Sequence, residues 1–352
     1  MPCIVADDLT EEQIRAFRLA DNKVGEIAEW DFDLLDEELS DIFDIDMDLF
    51  GFDEDEEEEP AEPTEDDYEV ELPAEPQAKL GDIYQLGEHR LMCGDCTNLA
   101  SVDLLMDGHT AQLVLTDPPY NMAYEGAGNT NELKRKSNRI MNDNMSDSDF
   151  ADFMASVNGS IHYVMDDGAS FYIFYKELGT GVFLTALKQA ALTYKQTLIW
   201  VKNSIVLGGS KYQSMYEPCI FGCKGKSIKS WYTGRKERSV IEDVDLMEED
   251  ELRETLRTIL NEPDTDIVRV EKNRVNDLHP TMKPIKLLAK LLNNSSKQGD
   301  VVVDFFGGSG STLIACEQLG RRCFTSELDP KYVDVIIDRW ETFTGKQAVK
   351  IN

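Results

Sequence analysis

"VVVDFFGGSGSTLIACEQLG", residues 301–320, decides the fold. A short β-branched run, Val301–Val303, reads as a buried strand. Gly307, Gly308 and Gly310 then break it, and "STLIACEQ" continues as a helix with Gly320 at its end. Glycines let backbone approach a ligand closely, and a helix N-terminus offers unpaired amides. Glu327 closes the next strand-like run, "RRCFTSEL", 17 residues after Gly310. In nucleotide-binding sheets an acid at that place grips ribose hydroxyls. The turn departs from the nicotinamide pattern GxGxxG, because Ser311 and Thr312 follow Gly310 and no glycine stands at 313. An adenosine-containing cofactor is expected; the alternative is a plain strand–helix connection.

Outward from this unit the same texture repeats. "AQLVLTD", "GASFYIFYKE", "QTLIWVKN" and "EPCIFGCK" read as strands, "FLTALKQAAL" and "KPIKLLAKLLNNSS" as helices, and "GDIYQLGEHRLMCGD" as a hairpin turning at Gly87-Glu88. Strands alternating with helices predict an α/β domain with a doubly wound, mostly parallel sheet over residues 80–345.

The 352 residues carry a formal charge of −33, unevenly spread. Residues 1–80 hold 30 acidic and 4 basic side chains, a net of −26; the remainder holds 38 acidic and 31 basic, a net of −7. The acidity belongs to the N-terminal segment, so the total does not exclude a nucleic-acid partner. Residues 1–50 read as a small helical module, with Thr10 and Gln13 as a capping box. Residues 51–79 read as an acidic, proline-containing, extended linker; the alternative is an acidic arm competing with DNA for a basic groove. There is no charged-then-apolar leader and no apolar run near about 18 residues, which predicts a soluble cytoplasmic protein without membrane contact. Seven cysteines, an odd number, suit reduced thiols. Cys93/Cys96 and Cys219/Cys223 have metal-like spacing, but the pairs lie far apart and in or beside predicted strands, so no metal is expected.

"TDPPYNMAYEG", residues 116–126, follows the strand "AQLVL". Two prolines fix φ, so this is either an ordinary strand exit or a rigid shelf holding a carboxylate, carbonyls and a ring around a flat substrate. Together with "FGGSG" at 306–310, "DPPY" at 117–120 resembles the motif pair of S-adenosylmethionine-dependent DNA amino-methyltransferases. The order, DPPY first, resembles their β class, whose Rossmann-like sheet is circularly permuted. "GDC" at 94–96, "HPTMKP" at 279–284 and "IWVKN" at 199–203 resemble further motifs of that family. Phe305 and Gly307 depart from its usual proline and alanine.

The resemblance implies a cofactor site of Asp95, Asp117, Lys283, Asp304, Phe306, Gly308, Gly310, Ser311, Thr312 and Glu327, binding S-adenosyl-L-methionine. It implies a catalytic shelf of Asp117, Pro118, Pro119 and Tyr120. An adenine amine is a poor nucleophile because its lone pair is delocalised. Asp117 would accept one amine hydrogen and the Pro118 carbonyl the other, bonds that strengthen as positive charge builds. The base must leave the duplex at a cost of a few kcal/mol, about 1–3 of which stacking on Tyr120 would recover. Trp200 is either a second aromatic wall or a core residue. Pro218-Cys219 matches the dipeptide of carbon-5 cytosine methyltransferases, but their other motifs are absent.

Double-stranded DNA is the expected partner. Lys134, Arg135, Lys136 and Arg139 form a basic cluster after DPPY, and Lys202, Lys211, Tyr212, Arg235, Lys236 and Arg238 are further candidates. Residues 224–278 fall where the family places an inserted target-recognition region, although "EDVDLMEEDELRE" within it is an acidic helix. "VADDLTEEQIRAFRLADNK" resembles the closing helices of a ParB-like nuclease domain, which implies docking or scaffolding. A homodimer and a cognate restriction nuclease are candidate associations, in a bacterial nucleoid or, for a phage-encoded copy, a host cytoplasm. The expected reaction is methylation of the adenine 6-amino group; the alternatives are the cytosine 4-amino group and a non-catalytic DNA-binding accessory.

Overall fold

A computed structural model describes residues 63–122, 141–206, 211–212, 214–234, 237–242 and 282–352. The helical reading of residues 1–50, the basic cluster 134–139, Arg235 and Lys236, and most of 224–278 lie outside the described residues.

The chain builds, in order, β1 (Ile83–Leu86), β2 (His89–Cys93), α1 (Leu99–Met106), β3 (Ala111–Thr116), α2 (Asp147–Val164), β4 (Met165–Phe174), α3 (Thr180–Gln189), β5 (Leu192–Val206), β6 (Ser214–Lys224) and β7 (Val240–Ile241). Then come α4 (Ile285–Ser295), β8 (Val301–Asp304), α5 (Ser311–Gln318), β9 (Arg322–Glu327), α6 (Pro330–Thr344) and β10 (Val349–Lys350). The strands form one sheet in the order β10-β1-β2-β9-β8-β3-β4-β6-β5-β7. Its centre, β2-β9-β8-β3-β4, is parallel throughout. Antiparallel pairs flank it: the β1–β2 hairpin, turning at Gly87 with φ +57°, on one side, and β6 against both β4 and β5 on the other. The expected doubly wound, mostly parallel sheet is what the chain forms.

Helices cover both faces. Val114 on β3 faces Val102 and Leu105 of α1, Phe150, Met154 and Val157 of α2, and Phe183 of α3, in one core. Leu113 and Leu115, its alternate neighbours, face Leu288 and Leu292 of α4, Leu313 of α5 and Ile336 of α6 in the other. A strand covered on both sides reads as an unbroken apolar run, and so does "AQLVL". From β8 the chain winds through α5 to β9 on one side, whereas from β3 it winds through α2 to β4 on the other. The winding therefore reverses between β8 and β3, and in such sheets ligands bind beyond the carboxyl ends of the strands at that reversal.

The segment 63–79 is extended, as its composition predicts, but it is not a bare solvated tether. Ala78 is buried, the backbone amides of Gln77 and Ala78 donate to Asp334 of α6, and Thr64 exchanges bonds with Gln318 of α5. Among the described residues no helix is long and apolar enough to cross a membrane.

Candidate active site at the carboxyl ends of the central strands

The two motifs, some 190 residues apart in sequence, leave neighbouring strands. β3 pairs with β8 in parallel, Leu113 opposite Val302 and Val114 opposite Val303. The DPPY shelf and the glycine turn therefore emerge side by side. Below them Thr116 Oγ1 donates to Asp304 Oδ1 at 2.8 Å, and the Phe305 amide donates to Thr116 Oγ1 at 3.2 Å. Asp304 also accepts from the Phe306 amide. Burial pushes its carboxyl up to about 6, against the bonds from Thr312, Phe306 and Thr116. It ties the two exits together from beneath.

The turn runs Phe306–Gly310, closed by the Gly310 amide on the Gly307 carbonyl at 2.8 Å. Gly310 caps α5 at φ +87°, a conformation other residues rarely adopt, and offers no side chain to the first amides of the helix. Glu327 ends β9 beside the turn, accepting from the Gly308 amide at 2.8 Å and from the Asp329 amide at 2.9 Å. Burial pushes its carboxyl up to about 7 even so. Asp95 follows β2 next to it, since Cys93 pairs with Glu327 and the Gly94 amide donates to the Glu327 carbonyl. Its carboxylate is exposed and holds the Thr97 amide and hydroxyl. The Ser311 hydroxyl accepts from Arg339, and Thr312 bonds Asp304, so both turn inward. Together these groups form a cradle of backbone amides and acceptors at one edge of the shelf.

At the other edge lies a closed ring of charge. Lys283, just before α4, donates to Asp117 Oδ2 at 2.5 Å and to Glu217 Oε1 at 2.7 Å. The Tyr120 hydroxyl lies 2.5 Å from Asp117 Oδ1 and 2.7 Å from Glu217 Oε1. Lys202 holds the second oxygen of Glu217 at 2.5 Å. Trp200 stands opposite Glu217 on β5, within 5.1 Å of the Lys202 ammonium. The Asp117 side chain is 30 % exposed, whereas those of Glu217 and Lys283 are 8 and 9 % exposed. Asp117 is thus the more exposed of the two carboxylates in the ring.

Burial pushes the Asp117 carboxyl above the usual carboxylate range; Lys283 opposes this and Glu217 adds to it. Burial works against ionised Glu217 too, but Lys283 and Lys202 hold it at about 2. The Tyr120 hydroxyl carries one proton and cannot satisfy two ionised carboxylates at once. Asp117 and Glu217 therefore share the Tyr120 proton and the Lys283 ammonium.

The sequence reading missed Glu217 as a site residue. Its signal was present: a carboxylate inside the apolar run "SMYEPCIFGCK" has to be paired if it is buried. Lys202, expected among the DNA contacts, reaches Glu217 within the site. Lys283, expected near the cofactor, reaches the two carboxylates. Lys211, Tyr212 and Arg238 are exposed. Trp200 is 8 % exposed and packs in the core. Cys219 is buried in β6, and burial pushes its thiol far up, so it supplies no thiolate.

The DNA methylase family of N6/N4 type matches residues 111–338, more than half of the chain, and the protein belongs to that family. It is a family of S-adenosylmethionine-dependent enzymes. Among curated relatives, the type II methyltransferase M.HinfI of Haemophilus influenzae is 30% identical over 140 residues, 39% of this chain and 36% of that protein. The type II methyltransferase M2.DpnII of Streptococcus pneumoniae is 38% identical over 63 residues, 18% of this chain and 24% of the relative. The matched regions thus span about a third of the first of these relatives and a quarter of the second. Among solved structures, the PvuII DNA methyltransferase, cytosine-N4-specific, superposes with a TM-score of 0.51 at 16% identity, over 74% of this chain and 90% of that one. The M1.HpyAVI–SAM complex gives 0.48 at 17% identity, over 71% and 97%. The PvuII likeness bears on the fold.

Proposed function

We propose that the chain methylates the 6-amino group of adenine in duplex DNA, with S-adenosylmethionine as donor. The observation that carries this is the adjacency of the two motif exits: the more exposed carboxylate of the charged ring, Asp117, stands beside a glycine cradle flanked by Glu327. The cradle suits the cofactor, since its positive-φ glycines and uncapped helix amides can meet a carboxylate and Glu327 can accept ribose hydroxyls. When bound there, S-adenosylmethionine supplies an electrophilic methyl group.

The chain's own residues do the rest. Asp117, once ionised, accepts an amine hydrogen, and the Pro118 carbonyl accepts the second. Both bonds strengthen as the nitrogen becomes cationic. Tyr120 is fixed through its hydroxyl, bonded to Asp117 and Glu217, and its ring is the stacking partner for the flipped base. Asp117 also favours adenine over the cytosine 4-amino group, because the cytosine-specific group more often carries serine at this place. Residues 1–50, which resemble the closing helices of a ParB-like domain, serve docking or scaffolding.

The test is methyl transfer from labelled S-adenosylmethionine to unmethylated DNA, with nucleoside analysis of the product. N6-methyladenine is expected from the wild type, and a loss of at least about 10²-fold from Asp117→Ala. N4-methylcytosine would move the target to the cytosine amine. No transfer to any DNA would end the reading.

A further inference from the structure

The acidic segment ahead of the catalytic domain has a partner that its composition does not explain. Arg339 lies on α6 with 1 % of its side chain exposed, beneath the cofactor turn. Its Nη1 donates to the Ser309 carbonyl at 2.9 Å, to Ser311 Oγ at 3.1 Å and to Ser309 Oγ at 3.3 Å. All three acceptors are neutral. The only carboxylate bonded to this buried guanidinium among the described residues is Asp66, whose Oδ2 takes Nε at 2.6 Å and whose Oδ1 takes Nη2 at 2.9 Å. Tyr68 lies against the other side, its ring 5.6 Å from the guanidinium carbon and its hydroxyl donating to Asp338 at 2.6 Å. One residue earlier, Glu65 accepts from the Ile285 and Lys286 amides. It thereby caps the helix that begins beside Lys283, where Pro284 cannot.

We propose that Asp66 is a positioning residue for cofactor binding: it fixes the Arg339 guanidinium, which in turn fixes Ser309 and Ser311 and so the shape of the glycine turn. The fork of an arginine on a carboxylate sets both its distance and its plane. Without Asp66 the buried charge would have only the serine groups to turn toward, and it would pull the loop out of register. The strap 63–68 is thereby part of the cofactor site without touching the cofactor. This rests on the cofactor assignment proposed above.

The test uses the full chain and calorimetric titration with S-adenosylmethionine, alongside thermal melting and kinetics at saturating cofactor. Asp66→Asn is expected to weaken binding roughly tenfold, with kcat within about twofold of wild type. Glu71→Gln removes an equal charge from an exposed position of the same extended segment, just beyond the strap, and is expected to bind as wild type does. Asp66→Glu keeps the charge and is expected to fall between the two. Wild-type affinity in Asp66→Asn, or an equal loss in Glu71→Gln, overturns the proposal. If Asp66→Asn does not fold, folded Asp66→Glu decides: weakened binding supports the proposal and unchanged binding overturns it. Failure of the wild type to bind S-adenosylmethionine would instead overturn the cofactor assignment itself.

Discussion

Glu217 shows how a residue outside every motif can control one inside. It shares Lys283 and Tyr120 with Asp117, so the two carboxylates compete for the same donors. Asp117 has to be ionised to accept an amine hydrogen, and its carboxyl titrates above the usual range. The rate is therefore expected to rise with pH through that titration. Glu217→Gln removes a neighbouring like charge and leaves Lys283 to Asp117 alone; both changes favour the ionised form. The acidic limb of the profile of kcat/KM against pH should move to lower pH. The rate constant itself should fall roughly tenfold, because Lys202 and Tyr120 lose an ionised acceptor. Profiles recorded from pH 5 to 9 decide it: a limb that stays put or moves upward would mean the carboxylates are not coupled.

The glycine turn is an element whose tolerance can be calculated from its neighbours. A methyl on Gly307 would lie 2.7 Å from Thr325 Oγ1 and 2.9 Å from Ile336 Cδ1. Gly307→Ala is expected to destabilise the fold by about 1–3 kcal/mol through overpacking. The Thr325 hydroxyl is a buried group with no hydrogen-bond partner among the described residues, so Thr325→Ala gives up no hydrogen bond there and opens the space the methyl needs. Adding it should recover part of the loss, and thermal melting of the two single variants and the double reads that coupling. Simple additivity would show that the turn yields elsewhere.

Elements were unequally legible. The strand–turn–helix at 301–320 and the hairpin at Gly87 carry local punctuation and were read to within a few residues. α2 was overlooked, although Phe150, Met154, Val157, Ile161 and Val164 share one face, because Asn158 and Gly159 weaken its propensity. α6 was overlooked despite the Asp329 cap, Pro330 at its start and Gly345 at its end. The contacts of Asp66 and Glu217 were beyond sequence reading for a different reason: their partners lie 273 and 66 residues away, and no local pattern encodes such pairings.

For the whole molecule, stability should be graded outward from the middle of the sheet. β3 and β8 are buried on both faces and paired on both edges, while β7 and β10 are two-residue edge strands. Native-state hydrogen exchange should find the slowest amides at Leu113–Leu115 and Val302–Val303, opening only with global unfolding at about 5–15 kcal/mol. β10 amides should exchange through far smaller openings. Equal protection in β3 and β10 would contradict this grading.

The strand order also sets a timetable for a chain emerging from the ribosome. β8 and β9 fill the gap between β2 and β3, yet they are made some 190 to 230 residues after those strands. Until then the hairpin and the DPPY strand each present a bare, apolar edge, the kind of edge that recruits other chains. A nascent chain interrupted before residue 300 is thus a sheet missing its own centre, and the cell pays for the split site in long-range contacts that form last.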